Sequence, residues 1–315
     1  MALNTVTIPG LTSVEMLHWS QYIQQISGIH LDSTKTYLIQ TRLGSLLRKT
    51  KSTTWSELLS KIRNDVTGQL RNELINSIAT NETSFFRDIA PFELLKNKLI
   101  PDLIDRRAKE GYKRIPIRIF SAACSTGQEV YSAIILLKEL LGDLNGYDIL
   151  VTGVDISDRA ISQASKGIFS SMEVARGLSP DRLSRFFNAL PKGYKVKDEY
   201  RSLANFKKAN LLAPILPFNE YDIVFCRNVA IYFEAETRRK LFQGICNMLK
   251  SEGSLIVGST ETIAMMNDTL NAAYHHNTVY YQKSDAHVSA GIHSASKQNQ
   301  FNTFFQPNQK HNSIV

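Results

Sequence analysis

The 315-residue chain is poor in cysteine, and the arrangement of its three thiols excludes several classes of protein. Cys124, Cys226 and Cys246 form no CxxC pair and are odd in number, which argues against a disulfide framework and a structural zinc site. No apolar run approaches the roughly 20 residues that span a bilayer. The first residues include neither a basic nor an apolar segment, so we expect no secretory signal. We therefore expect a soluble, cytoplasmic protein without membrane insertion.

An excess of positive charge is present, but it does not choose a partner. The formal charge is +8, from 37 basic and 29 acidic side chains. Such an excess suits nucleic acid, an anionic membrane face or an acidic protein. The other fractions, 43% hydrophobic and 21% charged, are those of ordinary globular proteins, and the length suggests two domains.

Residues 11–80 have the periodicity of an all-helical domain. Apolar side chains recur at helical spacing in four stretches, around Trp19–Ile26, Ile39–Leu47, Trp55–Ile62 and Leu74–Ile78. Thr12 with Glu15, and Thr54 with Glu57, have the spacing of capping boxes at helix starts. The second stretch also carries cations on its polar side, namely Arg42, Arg48, Lys49 and Lys51.

Beyond a connecting segment at 81–113, residues 114–283 alternate between short apolar strands and helices. The predicted strands are Ile117–Phe120, Ile149–Val154, Asp222–Cys226 and Leu255–Gly258. This alternation predicts an α/β fold with a parallel sheet. Thr278–Gln282 fits a late antiparallel strand. Pro180–Leu190 resembles a helix, and Gly193–Lys208 resembles a hairpin, which places an inserted β-subdomain at about 190–208. Residues 284–315 are polar, and we expect them to be disordered.

The ends of the predicted strands carry the candidate site, because ligands of open parallel sheets lie there. The loop Ser121–Glu129 contains small residues but one glycine, so it is not the G-x-G-x-x-G loop of dinucleotide-binding proteins. A nucleoside without phosphates tolerates such a loop. Asp155 follows the second strand, where a carboxylate can accept the ribose hydroxyls or cap the next helix. The spacing leaves both roles open.

Two further stretches are polar where a site is expected. After the strand that ends at Cys226 come Arg227 and Asn228, with Tyr232 four residues later, and a structural role remains open for them. Asn81–Asp88 has two phenylalanines beside a cation and an amide. We expect these rings to form a wall of a pocket at the domain junction, where ligands are common.

Five motifs in order resemble one known family. The segments NETSFFRD, SAACSTGQEVYS, GVDIS, ANLL and FCRNVAIYF, together with the helical N-terminal region, resemble the CheR-type chemotaxis receptor methyltransferases from about residue 11 to 283. The resemblance implies a Rossmann-like, S-adenosylmethionine-dependent methyltransferase fold. It also implies methyl transfer to glutamate side chains in the cytoplasmic domains of chemoreceptors, with S-adenosylhomocysteine as product. We expect a monomer with no nucleic-acid partner.

The same resemblance assigns roles to matched positions. The cofactor contacts that it implies are Asn81, Thr83, Arg87, Glu129, Asp155, Asn210, Leu211, Arg227 and Asn228. Arg87 either pairs with the carboxylate of the cofactor or orients the substrate, and Tyr232 is a neighbour of the sulfonium methyl, so both are catalytic candidates. Two departures from the family pattern occur, at Gln128-Glu129-Val130 and at the turn Gly258–Glu261, where a histidine is common.

The implied chemistry fits the absence of a catalytic triad or metal-ligand pattern. A glutamate with a pKa of about 4.3 is ionised at neutral pH, so it attacks a methyl group without a general base. Receptor methylation segments are acidic helices, so Arg42, Arg48, Lys49 and Lys51 are candidates for docking them; a merely solvated helix face is the alternative. Other functions that remain open are a nucleic-acid methyltransferase and a noncatalytic S-adenosylmethionine-binding adaptor.

Overall fold

The computed structural model describes residues 8–213, 220–263, 269–276 and 278–284. The predicted disordered segment therefore lies outside the described residues, apart from Ser284. Twelve α-helices lie in the described ranges: α1 (Ser13–Ser27), α2 (Thr36–Lys49), α3 (Trp55–Arg63), α4 (Gln69–Ile78), α5 (Ile89–Leu94), α6 (Ile100–Lys109), α7 (Gln128–Leu141), α8 (Asp158–Lys166), α9 (Ser171–Ala175), α10 (Pro180–Phe186), α11 (Asp198–Arg201) and α12 (Ala235–Met248). None of them combines the length and apolar character needed to cross a membrane.

The first four helices form the bundle that their periodicity predicts. Trp19 and Trp55 are fully buried at its centre, with their rings edge to face and their centroids 6.4 Å apart. The Thr12 side chain accepts a hydrogen bond from the Glu15 backbone N–H, and the Glu15 side chain accepts one in return, so this capping box is confirmed. This tryptophan contact joins α1 to α3. It is part of a cluster of buried apolar side chains, so the bundle has its own apolar core.

The part of the chain that the structure describes contains ten strands: β1 (Ile115–Ala122), β2 (Tyr147–Asp155), β3 (Ile168–Phe169), β4 (Phe187–Leu190), β5 (Gly193–Val196), β6 (Ala204–Lys208), β7 (Tyr221–Cys226), β8 (Leu249–Val257), β9 (Leu270–His275) and β10 (Thr278–Lys283). Seven of them form one sheet in the order β6–β2–β1–β7–β8–β10–β9. The first five in this order are parallel to one another, whereas β10 is antiparallel to both β8 and β9. The predicted α/β class and late antiparallel strand are thus confirmed.

The inserted subdomain differs from its prediction. Strands β3, β5 and β4 form a small antiparallel sheet, and helix α10 ends at Phe186 rather than at Leu190. The predicted hairpin Gly193–Lys208 is wrong, because its second half is β6, which pairs in parallel with β2 at the edge of the large sheet. Alternating polarity identifies a half-buried strand but carries no information about the strand with which it pairs.

Apolar side chains cover both faces of the large sheet. In β7, Ile223 and Phe225 pack into a cluster with residues of α7, whereas Val224 and Cys226 pack into a second cluster with residues of α12. Successive side chains of a strand point to opposite faces, so the two clusters lie on opposite sides. The carboxyl ends of the parallel strands are thereby held in one rigid edge.

Candidate functional site

A cleft lies at the carboxyl ends of β1, β2, β6 and β7. The end of α1, the following Ile29 and the segment from Ala79 to Arg87 form its remaining walls. All of the predicted cofactor-contacting and catalytic residues line it, namely Asn81, Thr83, Arg87, Glu129, Asp155, Asn210, Leu211, Arg227, Asn228 and Tyr232.

The loop between β1 and α7 passes close to the end of β2. Ala123 and Ser125 have positive φ angles of 55° and 52°, which side-chain-bearing residues seldom adopt. Gly127 has φ 96°, and a Cβ there would lie 3.0 Å from the Ala164 Cβ, so only glycine fits. Such strained backbone is concentrated at ligand sites in proteins. This loop forms the floor of the cleft.

Asp155 is the buried acid at the end of β2, only 6% exposed. Its two carboxylate oxygens accept hydrogen bonds from the backbone N–H of Ser125 at 3.0 Å and of Ser157 at 2.9 Å. The helix-cap alternative does not hold, because Ser157 caps α8 through a bond from the Ala160 N–H. Burial raises the pKa of Asp155, and the backbone hydrogen bonds oppose that rise. A carboxylate has about four acceptor positions, so Asp155 keeps capacity to accept from a ligand.

Arg227 is the centre of an ion network in the wall of the cleft, and its side chain is only 2% exposed. Its guanidinium donates to Glu129 Oε2 at 3.0 Å, to Asp88 Oδ2 at 2.7 Å and to the Arg87 carbonyl at 2.9 Å. The other Glu129 oxygen accepts from the Ser121 hydroxyl at 2.8 Å. The network ties β7, α7 and the Asn81–Asp88 segment together. Arg227 Nε is buried without a hydrogen-bond partner in the described part of the chain.

The two phenylalanines of the Asn81–Asp88 segment do not form a wall of the cleft, so that prediction is wrong. Phe85 is buried against Phe169 and Phe187, with ring centroids 5.0 and 5.6 Å away. The Arg182 guanidinium lies over the Phe86 ring, with its central carbon 3.8 Å from the ring centroid. The packing of these two rings anchors the segment to the small sheet and to α10. The phenylalanines that line the cleft in the described residues are Phe92 and Phe233.

Residues after β6 close the cleft against the helical bundle. Leu211 is 8% exposed and supplies an apolar surface. The Asn210 amide donates to the Ile26 carbonyl at 3.3 Å and accepts from the Leu212 N–H at 3.0 Å. On the opposite side, the Tyr232 carbonyl accepts from the His30 N–H at 2.9 Å. The end of α1 is thus bonded to two elements of the site.

Glu261 belongs to the turn Gly258–Glu261 and is a site-supporting residue that the sequence pattern did not predict. Its carboxylate accepts hydrogen bonds from four backbone N–H groups, those of Asn228, Val229, Ala230 and Gly258. No local spacing signals this contact, because it joins residues about 30 positions apart. The turn after β8 therefore supports the loop after β7.

The predicted docking cations lie on α2 and just beyond it, outside the cleft. Arg48 and Lys51 are exposed, and Lys49 pairs with Glu73 at the surface. Arg42 is half-buried and donates to the Ile78 carbonyl and to the Thr80 hydroxyl. Because Thr80 lines the cleft, Arg42 also fixes the segment that leads into the site.

The fold and the cleft together define an S-adenosylmethionine-dependent methyltransferase. A family model described as the CheR methyltransferase, SAM binding domain, matches residues 81–279, and one described as the CheR methyltransferase, all-alpha domain, matches residues 15–79. The chain belongs to the CheR methyltransferase family.

Similar curated proteins carry the same description. Chemotaxis protein methyltransferase Cher2 of Pseudomonas putida is 38% identical over 77% of this chain and 88% of its own length. Chemotaxis protein methyltransferase 1 of Pseudomonas aeruginosa is 37% identical over 78% and 89%. The chemotaxis protein methyltransferase of Vibrio anguillarum is 33% identical over 82% and 92%. The similarity therefore spans most of both chains.

The residues present fit S-adenosylmethionine. Asp155 retains free acceptor positions for ribose hydroxyls, Leu211 offers an apolar surface for a purine, and Arg227 leaves one buried donor unpartnered within the described ranges. The β1–α7 loop contains one glycine, which suits a nucleoside without a pyrophosphate. We find no group of metal-ligating side chains in the described residues.

Proposed function

We propose that this protein transfers the methyl group of S-adenosylmethionine to glutamate side chains in the cytoplasmic domains of chemoreceptors. The observation that carries the proposal is that two acids of the cleft, Glu129 and Asp155, are already engaged in hydrogen bonds. Glu129 is paired with Arg227 and Ser121, and Asp155 is bonded to two backbone amides. No histidine lines the cleft within the described residues. Such a site suits a nucleophile that arrives already ionised, as a glutamate does at neutral pH.

The protein's contribution is positioning. S-adenosylmethionine supplies an electrophilic methyl group on a positively charged sulfur. Asp155 is the candidate for holding the ribose, with Asn210 and Leu211 beside the purine and Asn81, Thr83, Glu129, Arg227 and Asn228 completing the contacts. The charges of carboxylate and sulfonium cancel during transfer, so excluding water from the cleft favours the reaction.

Arg87 and Tyr232 are the candidates next to the reacting groups. Both line the cleft and both are half-buried. The Arg87 guanidinium donates to the Glu82 carbonyl at 3.0 Å, which leaves further donors of its planar fork for a carboxylate. The proposal is that Arg87 orients the glutamate or the carboxylate of the cofactor, and that Tyr232 lies near the methyl group.

The direct test is methyl transfer from labelled cofactor to receptor cytoplasmic fragments. We expect an alkali-labile methyl ester on the receptor, and loss of activity in Asp155→Ala with the fold intact by circular dichroism. Transfer to DNA or RNA instead would identify a nucleic-acid methyltransferase, and binding of S-adenosylhomocysteine without turnover on any substrate would identify an adaptor. Full activity of Asp155→Ala would contradict the assigned site.

Electrostatic docking by the α2 region is the second part of the proposal. Charge reversal by Arg48→Glu with Lys51→Glu is expected to raise the KM for the receptor severalfold at low salt, because rim charges steer association. S-adenosylhomocysteine affinity should not change. The matched control is Arg239→Glu with Lys240→Glu, an equally exposed pair on α12. Equal effects of the two double variants would exclude α2 as the docking surface.

A further inference from the structure

Glu261 occupies a nest of backbone amides beside the site. Its Oε2 accepts from the N–H groups of Asn228 at 2.6 Å and Gly258 at 2.9 Å. Its Oε1 accepts from those of Ala230 at 2.9 Å and Val229 at 3.2 Å. Converging amides of this kind form anion-binding concavities. Here the anion is a side chain of the same protein.

The carboxylate acts on the loop after β7 from outside the cofactor cleft. Glu261 lines a neighbouring cleft together with Asp88 and Gly258, and it is not among the residues that line the cofactor cleft. Asn228, by contrast, lines the cofactor cleft and has a positive φ of 57°. Left-handed backbone is unfavourable for a residue with a side chain, although asparagine tolerates it better than most.

The geometry explains how the unfavourable conformation persists. Three consecutive N–H groups, those of residues 228–230, point to one carboxylate only while Asn228 keeps its left-handed conformation. Hydrogen bonds to an ionised acceptor are roughly twice as strong as neutral ones. The loop from Arg227 to Tyr232 is therefore held in one conformation by a residue that lies behind it.

We propose that Glu261 is a positioning residue for the methyltransferase site, which fixes Asn228 and Tyr232 for cofactor binding through three hydrogen bonds to the backbone of residues 228–230. The inference deepens the proposed function and rests on it only for the kinetic measurement with receptor. Cofactor-product binding and amide exchange test it without any receptor.

Two variants break the same contacts in different ways. Glu261→Gln removes the charge and presents an NH₂ group to one pair of backbone donors. Gly258→Ala keeps the charge, but its Cβ would lie 2.6 Å from Glu261 Oε2 and 3.2 Å from the Asn228 N. The matched control is Glu236→Gln, the same change at an exposed glutamate that pairs with Arg239.

The expected result is faster hydrogen exchange at the amides of Asn228, Val229 and Ala230 in both variants. Affinity for S-adenosylhomocysteine should fall about tenfold, because a loop that is competent one tenth of the time weakens binding by that factor. With receptor, kcat should fall while the receptor KM stays unchanged. Glu261→Asp keeps the charge on a shorter side chain and should rescue part of the affinity.

Wild-type exchange rates and product affinity in both Glu261→Gln and Gly258→Ala would overturn the proposal, as would an equal loss in Glu236→Gln. If Glu261→Gln does not fold, Glu261→Asp and Gly258→Ala decide by the same two measurements. If exchange and binding change as expected but the wild-type protein methylates no receptor, the proposed function fails while the role of Glu261 at the cofactor site stands.

Discussion

At the scale of single residues, Arg227 shows how the site depends on a buried cation. It is bonded to two carboxylates and a carbonyl from two other segments. Removing one partner of a buried ion pair leaves an uncompensated charge, which usually costs several kcal/mol. The residue that lines the cleft thus also stabilises the edge of the sheet.

We expect Arg227→Met to lower the free energy of unfolding by about 3 kcal/mol, because Glu129, whose side chain is only 15% exposed, is left without its cation. Denaturant unfolding measures this loss. Arg185→Met is the matched control, since Arg185 pairs with Asp181 at the surface and exposed pairs contribute about 0–1 kcal/mol. Similar losses in the two variants would show that the network around Arg227 contributes little.

The raised pKa of Asp155 predicts a pH dependence of ligand binding. Ribose hydroxyls need the ionised carboxylate as acceptor, so affinity for S-adenosylhomocysteine should fall as pH drops through the raised pKa. This fall occurs at a higher pH than 3.8, the ordinary value. Calorimetry over a pH series measures it, with Asp155→Asn expected to bind weakly and without this transition. The same fall in Asp155→Asn would assign the titration to another group.

The sign for stability is the opposite. Folding raises the pKa of Asp155, so the native state binds this proton more tightly than the unfolded chain. The stability that the group contributes is fully present below pH 3.8 and is lost as pH rises through the raised pKa. At neutral pH the charged carboxylate therefore costs stability. A buried carboxylate that lowers stability in this way is typical of a functional site, which fits a role of Asp155 in ligand binding.

At the scale of elements, the site depends on how α1 ends. Gly28 caps α1 with φ 78°, and a Cβ there would overlap the Leu212 side chain and lie 3.2 Å from the Phe233 ring. Leu212 follows two cleft residues, and Phe233 itself lines the cleft. The helix therefore approaches the sheet domain as closely as it does because this position has no side chain.

Gly28→Ala should destabilise the protein more than Gly68→Ala does and should weaken binding of S-adenosylhomocysteine. Gly68 also has a positive φ, of 71°, but nothing lies within 4 Å of its Cβ position. The control therefore carries only the conformational cost, about 1 kcal/mol. Denaturant unfolding and calorimetry measure the two effects. Equal changes in both variants would show that α1 packs less tightly against the site than the distances indicate.

At the scale of the whole molecule, the bundle and the sheet share one ligand site. The Asn76 side chain donates to Asp158 at 2.6 Å and accepts from the Ser157 hydroxyl at 2.8 Å. Lys208 donates to Asn72 at 2.8 Å. These bonds join α4 to α8 and to the end of β6, beside the cleft. A ligand in the cleft should therefore stabilise both parts together.

Saturating S-adenosylhomocysteine should raise the Tm of a single transition, with about 2.7 kcal/mol of added stability at a concentration 100 times Kd. NAD at the same concentration should have no effect, because the β1–α7 loop lacks the glycines that a pyrophosphate requires. Scanning calorimetry compares the two ligands. Stabilisation by NAD, or separate transitions of which only one shifts, would contradict a shared nucleoside site.

The succession of helices and strands, and the residues at the strand ends, could be predicted from the amino-acid sequence. Apolar periodicity and strand polarity are local properties, so the spacing of residues predicted the bundle and the parallel sheet. Spacing and family motifs together predicted site residues such as Asp155 and Arg227. The antiparallel strand near residue 280 could be predicted for the same reason.

Contacts between groups that are distant in the chain could not be predicted and are visible in the folded protein alone. Residues 204–208 are a strand in either arrangement, but their pairing with β2 depends on contacts that local alternation does not encode. Phe85 and Phe86 turn away from the cleft because the small sheet and α10 offer them apolar partners. Glu261 reaches Asn228 because β7 and β8 are neighbours in the sheet. Hydrogen bonds and packing between remote segments are properties of the folded chain, so no local pattern specifies them.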